Sequence, residues 1–122
     1  MSEYGPGFDW TMIAEPDLSA KQYLVAIIGS ATGKCMVSSQ AGDQALGILQ
    51  NKPQSGEAAK VRVVGISKAL AAAAITAGAY LRAGATGFLV TGNSGNVVGT
   101  ALTDGTSGGA FTMLVHPHQG TA

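Results

Sequence analysis

Residues 45–67 have the sequence ALGILQNKPQSGEAAKVRVVGIS, and this stretch decides the fold class. Two aliphatic stretches, residues 45–50 and 60–67, flank a segment that contains Pro53 and Gly56. Aliphatic and β-branched residues favour strands, whereas Pro and Gly favour turns. The stretch therefore predicts a strand, a turn and a second strand, and the same alternation continues in both directions along the chain.

Short apolar runs between turn residues predict eight strands. They are Gln22–Ile28, Lys34–Ser38, Ala45–Gln50, Lys60–Ser67, Tyr80–Arg82, Gly87–Thr91, Asn96–Leu102 and Ala110–Val115. Many short strands at this spacing are typical of a small all-β barrel or sandwich. The alanine-rich segment Lys68–Gly78 is open between extended structure and a short helix that begins after Ser67, because alanine favours helices but the segment lacks charged pairs.

The chain also contains an internal pseudo-repeat. Three glycines of the first half match three of the second half at separations of 54, 52 and 52 residues: Gly33 with Gly87, Gly47 with Gly99, and Gly56 with Gly108. We therefore expect two similar β-units joined by the alanine-rich segment. The last two pairs are predicted as structural turns or bulges, some of them with positive φ, which glycine tolerates best.

The composition limits the class of function. The chain has 122 residues, a net charge of zero and only 11% charged residues, against about 25% in a typical soluble domain. Such a surface is expected to be covered by a partner or by further copies of the chain. A net charge of zero argues against nucleic acid as a partner, and the longest apolar run, Ala69–Ile75, is too short to span a membrane.

The chain is expected to divide into three parts. Residues 1–17 contain four acidic residues, no basic one and no strand or helix period, which predicts an extended N-terminal arm that is disordered in the free protein. Residues 18–115 are predicted as the β domain. Residues 116–122 are predicted as a flexible C-terminal tail.

Motifs with possible chemistry are weak. Ser107 lies in a Gly-x-Ser-x-Gly motif, but a nucleophilic serine needs a base, and the nearest histidines, His116 and His118, lie in the predicted tail. Two histidines are too few for a structural zinc site, and the single Cys35 allows neither an internal disulfide nor a thiolate cluster. We therefore expect no catalytic, cofactor-binding or metal-binding residues, with a small serine hydrolase that uses Ser107 as an alternative.

Residues 46–63, LGILQNKPQSGEAAKVRV, resemble the central signature of the small capsid decoration (cement) proteins of tailed bacteriophages. Residues 65–68 and 75–78 and the opening Asp17–Tyr23 are similar to the same family, so the resemblance covers residues 17–115. It implies a structural virion protein, assembled in the host cytoplasm, that binds the outside of the phage head and stabilises the shell. It further implies homotrimers at three-fold positions, a contact with the major capsid protein through the N-terminal arm, and no cofactor.

Four apolar side chains of the arm are the predicted capsid contacts: Tyr4, Phe8, Trp10 and Ile13. Each would contribute roughly 1.5–3 kcal/mol if fully buried by the shell. A carbohydrate- or cell-surface-binding β module is the second alternative. It would need exposed aromatic residues on the loops of the domain, whereas three of the seven aromatic residues precede residue 17.

Overall fold

Short strands joined by turns build the described part of the chain. The structure, a computed structural model, describes residues 7–29, 32–40, 44–84, 86–92 and 95–119. These residues form nine strands and no helix: β1 (Gly7–Ala14), β2 (Val25–Ile28), β3 (Lys34–Val37), β4 (Gly47–Leu49), β5 (Ala58–Leu70), β6 (Tyr80–Ala83), β7 (Leu89–Thr91), β8 (Asn96–Ala101) and β9 (Ala110–Gln119). Strands β2 to β9 are the eight predicted ones, so the all-β class is confirmed.

The described residues contain no helix that could cross a membrane.

The alanine-rich segment is extended. Its first residues complete β5, Ala71 then forms a parallel bridge with Leu89, and Ile75 forms an antiparallel bridge with Gly105. Ala71 and Ile75 are buried, whereas the three residues between them are exposed. The close approach of these backbones suits small side chains, so packing outweighs the helix preference of alanine.

The nine strands form one sheet in the order β1-β3-β2-β4-β5-β9-β8-β6-β7, and β1 also pairs with β5. That extra pairing closes a ring of five strands, β1-β3-β2-β4-β5, which we call the first ring. The second ring consists of the C-terminal part of β5 with β9, β8, β6 and β7. It is closed next to β5 by the bridge of Ala71 with Leu89 and by a 2.8 Å hydrogen bond from the amide of Ala72 to the carbonyl oxygen of Leu89.

The two rings are copies of one pattern, which confirms the pseudo-repeat. Ala26 pairs with Gly47 in the first ring as Leu81 pairs with Gly99 in the second. The C-terminal part of β5 takes in the second ring the place that β1 has in the first. For example, Met12 pairs with Ala59, and Ala69 pairs with Phe111.

Each ring encloses its own apolar cluster. The first-ring cluster consists of Met12, Ala14, Leu18, Ala26, Cys35, Leu49, Ala59 and Val61. The second ring has its own cluster. In the same order, the residues equivalent to these eight by strand register are Ala69, Ala71, Ile75, Leu81, Leu89, Ala101, Phe111 and Met113. The second cluster is larger and also includes Val25 and Ile48 of the first ring, so it joins the two halves into one body.

Candidate functional site

Residues 7–14 of the predicted arm form a strand of the sheet. Strand β1 runs antiparallel to β5, with Phe8 opposite Val64 and Ile13 opposite Ala58, and its end pairs in parallel with β3. Met12 and Ala14 are buried in the first-ring cluster. The segment is therefore extended, as expected, but it is part of the β domain and contributes two core residues.

Strand β1 exposes large apolar side chains on both of its faces: Ile13 projects outward, whereas Trp10 lies opposite Val61 and shares the face of Met12. Phe8 is 58% exposed, Trp10 54% and Ile13 39%, although all three are paired with β5. Val64, opposite Phe8 on β5, is 53% exposed. Tyr4, the fourth predicted contact, lies outside the described residues. We call Phe8, Trp10, Ile13 and Val64 the β1 surface, and exposed apolar side chains grouped in this way on two neighbouring strands are typical of a partner contact.

A partly buried ion pair holds β1 in register. Arg62 donates from Nε to Asp9 Oδ1 at 2.7 Å and from Nη2 to Oδ2 at 3.3 Å, and its Nη1 donates to the carbonyl oxygen of Ile66 at 2.6 Å. The two side chains are only 12% and 23% exposed. The register shifts between Phe8 and Asp9, where β5 contains one additional residue, Val63. The ion pair and this bulge fix the positions from which Phe8 and Trp10 project.

A second exposed row crosses four strands of the second ring. The register places Tyr80 opposite Thr100, Thr100 opposite Leu114, and Leu114 opposite Ile66. Opposite residues share one face of a sheet, so these side chains form one line on its outer side. Tyr80 is 46% exposed and Leu114 37%. We call this line the four-strand row; strand register creates it, so no single segment of the sequence indicates it.

The predicted C-terminal tail is structured up to Gln119. Strand β9 includes His116, Pro117 and His118, and Val97 of β8 lies opposite His118. His116 Nε2 lies 2.8 Å from Thr100 Oγ1, and the Nδ1 atoms of the two histidines are 3.1 Å apart. Burial, followed by the charge of His118, lowers the pKa of His116. Pro117 is compatible with the strand because here β9 pairs with β8 and extends past the end of its pairing with β5.

The other chemical candidates have structural roles. Ser107 Oγ donates to the carbonyl oxygen of Ala72 at 3.1 Å. Cys35 is buried in the first-ring cluster, and burial, with a smaller contribution from Glu15, raises the pKa of its thiol. Among the described residues, no three His, Cys, Asp or Glu side chains come together in the manner of a metal site.

The four glycines predicted as turns fall into two kinds. Gly56 and Gly108 lie in turns, with φ of +86° and +77°. Gly47 and Gly99 lie within strands β4 and β8 instead. A Cβ at Gly47 would meet the carbonyl oxygen of Arg62, and a Cβ at Gly99 would meet that of Leu114, so close backbone approach requires glycine there.

The comparison with protein families identifies the class of the protein. The model of the phage cement protein family matches residues 5–117. The chain belongs to the phage cement protein family, and it is a structural component of the phage virion on the outside of the capsid. No curated protein is significantly similar in sequence.

The fold occurs in a solved phage structure. The chain resembles the crystal structure of the head fiber gp8.5 N base of bacteriophage phi29, with a TM-score of 0.61 and 18% sequence identity. The match covers 90% of this chain and 94% of that one. At this identity the likeness concerns the fold.

Proposed function

We propose that the protein binds the major capsid protein on the outside of the phage head as homotrimers at three-fold positions, and that this binding stabilises the shell. Membership of the phage cement protein family supports the location on the capsid. The β1 surface supports the mode of attachment, and it is the observation that carries the proposal. Repeated copies let many weak contacts act together on the shell.

The β1 surface is suited to this contact because it is both apolar and fixed. A disordered arm would lose conformational entropy on binding, roughly 1–2 kcal/mol for each ordered backbone residue. Strand β1 is already ordered by β5 and by the ion pair of Asp9 with Arg62. The burial of Phe8, Trp10 and Ile13 by a partner therefore contributes more fully to affinity.

The four-strand row supports self-association. Tyr80, Leu114 and the neighbouring Leu102, which is 44% exposed, lie on the outer side of the second ring. A chain that attaches to the shell through the first ring leaves this face free for its copies.

The test of shell binding uses substitutions on the surface of β1. Deletion of residues 2–16 would remove Met12 and Ala14 from the core, so its effect would combine unfolding with lost contact. The double variant Phe8→Ser/Trp10→Ser keeps both core residues and should decorate shells at strongly reduced occupancy. Ile28→Ser is the matched control, because Ile28 is equally exposed, at 55%, and lies outside the β1 surface. Normal occupancy of the double variant would show that another surface binds the shell.

The test of self-association is sedimentation of the free protein at micromolar concentration. We expect a mass of about three chains, and Leu114→Lys should shift it towards the monomer because a charge would enter an apolar contact. A monomer both in solution and on shells would contradict the trimer.

We also propose that the protein has no catalytic function. Ser107 Oγ donates to a backbone carbonyl, and the two histidines contact each other and Thr100 on the outer side of the second ring. A Ser107→Ala variant should therefore decorate shells normally. Hydrolysis of an ester or peptide substrate that disappears in this variant would contradict the proposal.

A further inference from the structure

The sequence His116-Pro117-His118 lies on an ordered strand, which gives its two imidazoles fixed positions. Residues two apart on a strand share one face, so His116 and His118 project to the same side of β9. Pro117 fixes its own φ and restricts His116 to extended backbone. Their rings stack, with centroids 4.8 Å apart, and the ring of Tyr80 meets that of His118 edge-on at 6.1 Å.

The nitrogen atoms that face each other are suited to one shared ligand. The two Nδ1 atoms are 3.1 Å apart, and His118 Nδ1 lies 2.8 Å from the carbonyl oxygen of His116. Without a ligand, His118 Nδ1 donates its proton to that carbonyl oxygen, beside His116 Nδ1. A small cation can occupy the gap between the two nitrogens once this proton has moved to Nε2 of His118.

Thr100 prepares His116 as a metal ligand. His116 Nε2 lies 2.8 Å from Thr100 Oγ1, and donation of the Nε2 proton to this oxygen leaves the lone pair on Nδ1. Metal-binding histidines in proteins usually donate their second ring N–H to an oxygen in this way, which fixes the tautomer and the ring orientation. Thr100 is held by the pairing of β8 with both β6 and β9, so it is a rigid positioning residue.

We propose that His116 and His118 form a two-histidine site for a borderline transition-metal dication such as Zn²⁺ or Cu²⁺. A metal about 2.0–2.1 Å from each nitrogen would form an N–metal–N angle of about 100° across the 3.1 Å gap, between the octahedral and tetrahedral values. The rings are 13° from parallel, so His118, which is exposed, turns about its Cβ–Cγ bond to direct its lone pair at the metal. Its proton moves from Nδ1 to Nε2 and the ring remains neutral.

The donor set also determines which metals bind. Imidazole nitrogens favour Zn²⁺, Ni²⁺ and Cu²⁺, whereas Mg²⁺ and Ca²⁺ require oxygen ligands. With no third His, Cys, Asp or Glu of the described residues at the site, water completes the coordination. The order of affinity is then Cu²⁺ above Zn²⁺, following the intrinsic series.

Calorimetric titration of the full chain, without any affinity tag, tests this proposal. Zn²⁺ and Cu²⁺ should each bind at one ion per chain, with Cu²⁺ tighter, and Mg²⁺ should give no signal. His118→Ala should weaken Zn²⁺ binding by at least about 10-fold, and the double variant His116→Ala/His118→Ala should abolish it. The thermal unfolding curve of each variant, measured without metal, shows whether the fold is intact.

The role of Thr100 is tested separately. Thr100→Val should weaken Zn²⁺ binding by about 10-fold, and Thr100→Ser, which keeps the hydroxyl, should restore it. Two results overturn the proposal. The first is the absence of Zn²⁺ and Cu²⁺ binding up to millimolar concentration. The second is undiminished binding by the double-histidine variant, which would place the metal elsewhere on the chain.

Discussion

The two rings have the same strand pairing but close in different ways. The first ring is closed by β1, a strand at the N-terminal end, and the second by the C-terminal part of the long strand β5. In one pair of facing core positions, the large and the small side chain have swapped strands between the two rings. The closing strand has Met12 opposite Ala59 in the first ring, whereas the second has Ala69 opposite Phe111. A repeated backbone therefore tolerates opposite choices of large and small residues as long as each core is filled.

One pair of equivalent positions on the closing strands shows what this difference allows. Trp10 pairs with Val61 in the first ring, and Ser67 pairs with Met113 in the same place of the second. Trp10 is 54% exposed, whereas Ser67 is fully buried and accepts a hydrogen bond from Gln50 Nε2 at 2.8 Å. The second closing strand crosses the middle of the molecule, so its side chains have structural roles. The first lies at the periphery, which leaves its side chains available for a partner.

The largest expected difference between the rings follows from Phe111→Ala. Phe111 is 4% exposed and fills the second core where the first has Ala59. The loss of a buried phenyl ring should cost about 3–5 kcal/mol of unfolding free energy in urea denaturation. Phe8→Ala is the matched control, because Phe8 is 58% exposed and its removal should change stability by less than about 0.5 kcal/mol. Similar losses for both variants would contradict the core assignment.

The next effect tests whether the rings are equivalent at their tightest contacts. Gly47→Ala and Gly99→Ala each place a Cβ against a carbonyl oxygen of the neighbouring strand. Backbone must move to admit it, so each should cost about 1–3 kcal/mol, measured as a shift of the denaturation midpoint. Because the two sites have equivalent neighbours, the two losses should be similar. A loss at one site and none at the other would show that the repeat does not extend to this contact.

The ion pair of the first ring should have a smaller effect. Asp9→Ala leaves Arg62, which is only 12% exposed, with the hydrogen bond to the carbonyl oxygen of Ile66. We expect a cost of about 1–2 kcal/mol and weaker shell binding, because β1 loses its anchor. Asp104→Ala in the second ring is the control. Asp104 is exposed and accepts one 2.8 Å hydrogen bond from the amide of Ala77. Asp104→Ala should therefore reduce stability less than Asp9→Ala and leave shell binding unchanged.

The turn glycines should give the smallest stability change. Gly56 and Gly108 have positive φ, and a Cβ at either would meet no atom within 4 Å. The cost of alanine at these positions is therefore conformational, about 1 kcal/mol for each variant, and the thermal midpoints of the two should fall together. Losses as large as those at Gly47 and Gly99 would mean that the turns, too, are sites of close packing.

The fold could largely be predicted from the sequence because turn residues separate the strands. Glycines such as Gly56 and Gly108 end one strand and begin the next, and they recur in both halves. Strand β1 could not be predicted. Its alternation is broken by the bulge at Phe8 and Asp9, and of its residues only Met12 and Ala14 belong to a core cluster, which leaves too short a pattern.

The surfaces were harder to predict than the strands. The exposed aromatic residues of β1 follow from composition, since few apolar residues near Gly and Pro can be buried locally. The four-strand row depends on the register of four strands, and a shift of one residue would turn its side chains inward. The polar sequence from His116 onward predicts a tail, and it does not show that β9 continues there through its pairing with β8 alone.

Cys35 offers a way to determine whether the rings open separately. Burial raises the pKa of its thiol, and the residue is fully buried in the first core, so a thiol reagent should modify it only when that ring opens. Asp9→Ala releases β1 and should accelerate modification strongly. Ile75→Val, which should cost about 1 kcal/mol in the second core, should have little effect if opening of the first ring is local. Modification rates measured by absorbance under native conditions distinguish the cases. If both variants accelerate it in proportion to their lost stability, the rings open as one unit, and β1 cannot rearrange on the shell without unfolding of the whole molecule.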